Sequence, residues 1–197
     1  MKPINDWNNV KPVGGESKKL SAGGYVCQII GAKEEMSRNG NPMLVVALEI
    51  AEGEYAGFYR EKYNGQKWPN QAILRIMEPD GNKDAPDVYS KKAGRVKKFI
   101  QDVERSNEPY IFKWDESTLR GKYVGGLFGE EEFETDTGTA WATKIFYTTT
   151  VANIREGKFS VPKERPLTTV TYQAAPQNPG DEFVEIADMD ETDDLPF

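Results

Sequence analysis

Histidine is absent from this chain, and cysteine occurs once, at Cys27. Without histidine there is no Ser-His or Cys-His nucleophile pair, no imidazole general base and none of the usual zinc sites. A lone cysteine excludes an intramolecular disulfide and a cysteine metal cluster. No apolar run approaches the roughly 20 residues that span a bilayer, and Met1–Trp7 lacks the apolar centre of a signal peptide. These absences lead to the expectation of a soluble, cytoplasmic protein that binds rather than catalyses, with no cofactor and no membrane association.

Basic residues are also outnumbered, 25 Lys and Arg against 32 Asp and Glu, for a net charge of −7. The imbalance is local. From Asp181 to Phe197 there are eight carboxylates and no Lys or Arg, so residues 1–180 carry a net charge of +1. A segment this acidic buries too little apolar surface to fold alone and reads as a mobile arm. Its tip, Leu195-Pro196-Phe197, is apolar, which solvation does not require. That chemistry suits docking: Phe197 enters an apolar pocket, its carboxylate meets a cation or backbone donors, and Asp190, Glu191, Asp193 and Asp194 follow a basic ridge. Pro196 limits the entropy lost when the tip is ordered.

Four stretches follow from composition. Residues 1–19 read as a flexible arm, 20–157 as one domain, 158–180 as a linker marked by Pro162, Pro166, Pro176 and Pro179, and 181–197 as the acidic tail. Within the domain, Gly24–Ala32 and Met43–Ile50 alternate as strands around the turn signal Arg38–Pro42, predicting a hairpin. Phe58–Tyr63 reads as a third strand and 64–90 as a long irregular connection. Lys91–Glu104 places Val96, Phe99, Ile100 and Val103 on one helical face. Tyr123–Phe128 and Thr139–Val151 close the pattern, joined through Glu130–Glu132 and a turn at Asp136–Gly138. This order predicts a mainly β protein: a five-stranded Greek-key barrel of the oligonucleotide-binding (OB) type, with one inserted helix and a long loop insertion.

Such a barrel binds by stacking bases on flat side chains and pairing phosphates with cations. Two stretches supply both. One holds Tyr59, Arg60, Lys62, Tyr63, Lys67 and Trp68. The other holds Trp141, Lys144 and Phe146, followed by Arg155. As strands, each would split these residues between two faces, and the pattern leaves open which face is core. Lys91, Lys92, Lys97 and Lys98 read as a solvated helix face.

The acidic run closed by Asp-Asp-Leu-Pro-Phe resembles the tails of bacterial and phage single-stranded DNA-binding proteins, with Leu195 where Ile is usual. Gly23–Cys27, Gly40–Leu44, Glu52–Gly57, Lys67–Pro69 and Gly125–Glu131 resemble, in order, a family of small phage single-stranded DNA-binding proteins of replication and recombination. The resemblance implies coating of exposed single strands without sequence preference and recruitment of replication or recombination enzymes through the tip. Two other readings stand beside it. A protein adaptor needs no DNA groove, and a Mg²⁺-dependent nuclease would draw on Glu130, Glu131, Glu132, Glu134 and Asp136. Self-association and the choice between DNA and RNA are left open.

Overall fold

The strand that organises the protein is β1 (Gly23–Met36), because it pairs antiparallel on both sides, with β2 (Pro42–Ile50) and with β4 (Tyr123–Thr135). The computed structural model describes residues 19–63 and 72–167. The chain divides into a unit spanning Met1–Leu167 and a second unit, Thr168–Phe197, which lies outside the described residues. The remaining elements of the first unit are α1 (Phe58–Tyr63), β3 (Ala72–Met77), α2 (Pro86–Ser106), a 3₁₀ turn (Glu116–Leu119), β5 (Gly138–Thr149) and α3 (Val151–Arg155). The sheet order is β3-β2-β1-β4-β5, and its first four members form the 4-1-2-3 arrangement of a Greek key.

Alternation along the strands builds the core. Cys27 and Ile29 of β1, Leu44, Val46, Leu48 and Ile50 of β2, and Ala72, Leu74 and Ile76 of β3 face one side. Val124 and Phe128 of β4 and Ile145 of β5 complete it, and Phe99 and Val103 of α2 close over it. Between the pairs Ile29–Leu48 and Gly31–Ala47, β1 carries one extra residue, Ile30. A bulge of this kind bends the strand and sharpens its twist. Among the described residues no ladder joins β3 to β5, so the five strands form an open antiparallel sheet where a five-stranded barrel was expected.

The β1–β2 hairpin and the helical face of α2 agree with the pattern read from sequence. Val96 and Ile100 pack against the core beside Phe99 and Val103. Two assignments need correction. Phe58–Tyr63 is helical, not the third strand, because Phe58 and Tyr59 are both buried, and neighbouring residues of one strand cannot both face a single core. The third strand is Ala72–Met77, inside the stretch read as irregular; its alternation is short and hemmed by prolines. Val151 begins α3 instead of ending β5, and Glu130–Glu132 lie within β4 instead of linking two strands.

Buried polar groups pin the helices to the sheet. The Glu49 carboxylate accepts the backbone N–H groups of Ile50 (2.9 Å), Tyr59 (3.1 Å) and Arg60 (2.8 Å), capping the start of α1 from β2. Asp102 of α2 is held by Lys98 Nζ at 2.7 Å and by the Thr148 hydroxyl of β5 at 2.8 Å. The Asn107 side chain accepts the Tyr123 N–H (2.8 Å) and donates to the Tyr123 carbonyl (2.7 Å), standing in for a strand beside β4. Cys27 is fully buried, and burial pushes its thiol up to about 12, so it is inert as a nucleophile. Glu49→Ala leaves three backbone donors, two of them buried, without their acceptor and is expected to cost about 3 kcal/mol. Urea unfolding would show this as a lower midpoint at unchanged m, with a smaller loss for Glu49→Gln, which keeps an acceptor oxygen.

Candidate nucleic-acid interface

The β4–β5 hairpin is the part of the sheet that outgrows its neighbours. β1 pairs with β4 only as far as Phe128, whereas the β4–β5 ladder continues to the pair Thr135–Gly138. Beyond Phe128 the pleat divides the side chains between two faces. Glu130, Glu132 and Glu134 share a face with Thr139, Trp141 and Thr143, in continuation of the core face. On the opposite, outer face lie Glu131, Phe133, Ala140, Ala142 and Lys144. Phe133 is exposed beside two alanines, so a flat apolar strip runs along the outer face. Lys144 and Glu131 form an ion pair across it.

A bulge places Phe146 as an extra residue opposite the step from Leu127 to Phe128. Its ring lies over Gly129, where an added Cβ would stand 2.5 Å from a ring carbon. Residues 158–167, the first part of the stretch read as a linker, run back along this face. Phe159 packs over Gly24 and Pro162 near Gly129. Arg165 forms a parallel bridge with Glu131, donating its N–H to the Glu130 carbonyl and accepting the Glu132 N–H, each at 2.9 Å. The guanidinium of Arg165 stacks 4.0 Å from the centroid of the Phe146 ring and donates to the Tyr147 hydroxyl at 3.0 Å. Glu132 accepts the Leu167 N–H at 3.0 Å; hydrogen bonds from Thr139 and Leu167 hold its carboxyl below the usual range.

The residues singled out by sequence are scattered. Tyr59 is buried in the core and has no face for a base. Arg60 is exposed on α1, which also contains Lys62 and Tyr63. The side chains of Lys62 and Tyr63, and all of Lys67 and Trp68, lie outside the described residues. So do Asp190, Glu191, Asp193, Asp194, Leu195, Pro196 and Phe197. Trp141 is as exposed as Phe133, but it lies on the acidic face, directly opposite Glu132. Lys144 and Phe146 share the outer face. Arg155 of α3 is bound to Glu52, its Nε 3.2 Å from one carboxylate oxygen and a second nitrogen 2.5 Å from the other, and this pairing lowers the Glu52 carboxyl. The structure therefore brings Lys144 and Phe146 together with Phe133, Tyr147 and Arg165, of which Phe133 and Arg165 drew no notice in the sequence. A possible signal was the small–large alternation Ala140-Trp141-Ala142, which marks one face as flat.

Two further surfaces carry exposed groups. On the face of the sheet opposite the core, the exposed Lys33 and Arg75 flank their strand partner Val45, which is buried, and Lys33 is ion-paired with Glu35. The loop after α2 displays Ile111 and Trp114, the latter 86% exposed at a φ of 58°. The acids of β4 are divided between two faces, and among the described residues no group of three His, Cys, Asp or Glu side chains is placed to hold a metal ion. Among the described residues, too, no helix is long and apolar enough to cross a membrane.

Compared with models of known protein families and with curated proteins, the chain matches none. The functional reading thus rests on the residues and their arrangement. Gly129→Ala is expected to force Phe146 off the sheet and to cost about 1–3 kcal/mol by overpacking. Gly31→Ala, where nothing lies within 4 Å of the added carbon, is the control in the same urea titration.

Proposed function

We propose that the protein binds single-stranded DNA without sequence preference and that the outer face of the β4–β5 hairpin carries the contact. The observation that carries the reading is the gathering on the outer face of the hairpin of flat apolar groups and an arginine that, among the described residues, has no carboxylate partner. Three carboxylates and no cation of β5 lie on one side of the hairpin, while Phe133, two alanines, Phe146 and Arg165 lie on the other beside the Lys144–Glu131 ion pair. Flat apolar groups beside cations are what a single strand needs, because every base has a face to stack and every nucleotide a phosphate. A near-neutral body is compatible with this, since binding depends on the local field rather than on net charge.

The strand order and the helix between β3 and β4 fit a partly open OB barrel, a fold that binds oligonucleotides through strands 2–3 and the loops around them. In that fold the exposed side chains of Lys33 and Arg75 extend the surface available to the strand. The acidic tail recruits replication or recombination enzymes, in the setting that the resemblance to phage proteins implies. A protein adaptor is the second reading. What favours it is the loop displaying Ile111 and Trp114, an exposed apolar pair of the kind that anchors a protein partner.

Fluorescence anisotropy of a labelled thirty-nucleotide oligo-dT, with the matching duplex as control, tests the reading at two salt concentrations. Binding is expected for the single strand alone and should weaken as salt rises. Phe133→Ala is expected to weaken it by about 1–3 kcal/mol, the worth of one stacked base, while Trp141→Ala leaves it nearly unchanged. No binding at low salt would leave the adaptor reading. A loss confined to Trp141→Ala would move the contact to the opposite face.

A further inference from the structure

Lys144 is neutralised by Glu131, Lys19 by Glu130 and Arg155 by Glu52. Arg165 differs, for among the described residues it has no carboxylate partner. Its guanidinium instead lies against the Phe146 ring and donates one N–H to the Tyr147 hydroxyl. Cation–π stacking holds the group flat but leaves its charge in place. The residue is exposed, and among the described residues its guanidinium makes no hydrogen bond besides the one to Tyr147. Both backbone groups of Arg165 are taken up by the β4 edge, and Gly129 lets the supporting ring lie close to the strand. Ordering an arginine on binding normally costs side-chain entropy. Here the backbone pairing, the stack and the tyrosine contact have fixed the side chain beforehand.

We infer that Arg165, supported by Phe146 and Tyr147, is a preorganised cationic platform that binds a backbone phosphate of the single strand. This deepens the proposed function and rests on it. The planar fork of a guanidinium matches the oxygens of a phosphodiester, and a cation not spent on a carboxylate gives its full attraction to an anion. The stretch that reads as a linker thus completes the interface, and the binding unit extends to Arg165. Phe146 positions the cation and does not itself stack a base, because Arg165 covers a face of its ring.

The test uses the full chain and the same thirty-nucleotide oligo-dT, with affinity measured across a salt series. Arg165→Ala is expected to weaken binding about tenfold and to flatten the slope of log affinity against log salt by ~0.7, one phosphate's share for a single strand. Arg165→Lys should keep the slope while losing part of the affinity, and Tyr147→Phe, which removes only the hydroxyl, should weaken binding with the slope retained. A thermal melt of each variant separates these effects from loss of fold. Unchanged affinity and slope in a folded Arg165→Ala would overturn the inference and leave the proposed function standing. Tighter binding by that variant would also overturn it and make 158–167 an occluding strap. Absence of binding by the wild-type chain would remove both.

Discussion

Everything in this sheet depends on β1 pairing on two sides while bending once. A strand with two neighbours fixes the register of both, and a one-residue slip would turn Cys27 and Ile29 out of the core. The extra residue at Ile30 lets β1 keep β4 beside its first half, Gly23–Gln28, and β2 beside it from Cys27 to Met36. Because β1 leaves β4 at Phe128, the outer part of β4 has a free edge. Residues near Arg165 occupy that edge, and the hairpin that bears the candidate interface is a direct result of where β1 begins, at Gly23 opposite Phe128.

Close approach is the second constraint. Gly125 of β4 admits Ile154 of α3, and Gly129 admits Phe146, with Pro162 alongside. A side chain at either position would collide with what now covers the sheet. The same two positions divide the outer face of β4. Around Gly125 the face is sealed by α3, while from Gly129 onward it is lined by Phe146, Arg165 and the alanines of β5. Packing against backbone thus leads from a structural region to a binding one within a few residues of a single strand.

Much of the fold was legible where alternation met a single core. β1, β2 and the apolar face of α2 follow from periods of two and 3.6 residues. The start of α1 was not legible, because its cause is the Glu49 carboxylate, and a tertiary cap leaves no trace in the local pattern. β3 has only six residues between proline-rich stretches, too short for alternation to outweigh its flanks. Lys144 and Phe146 were singled out because cations and aromatics cluster in that stretch, and the structure puts both on the outer face. Tyr59 was misjudged once its segment was taken as a strand. Trp141 was chosen by residue type, and only the register shows that it shares its face with Glu132. Arg165 was hidden because nothing local in Glu164-Arg165-Pro166 signals pairing with residues more than thirty positions earlier.

The central claim is that the pleat of one hairpin decides where a single strand lies. Ultraviolet cross-linking of oligo-dT to the full chain, followed by peptide mapping of the adducts, tests it most directly. The account expects adducts at Phe133, Tyr147 or the 158–167 stretch, on the outer face. Adducts concentrated at Trp141, beside the carboxylates of the other face, or at Trp114 in the loop after α2, would contradict it.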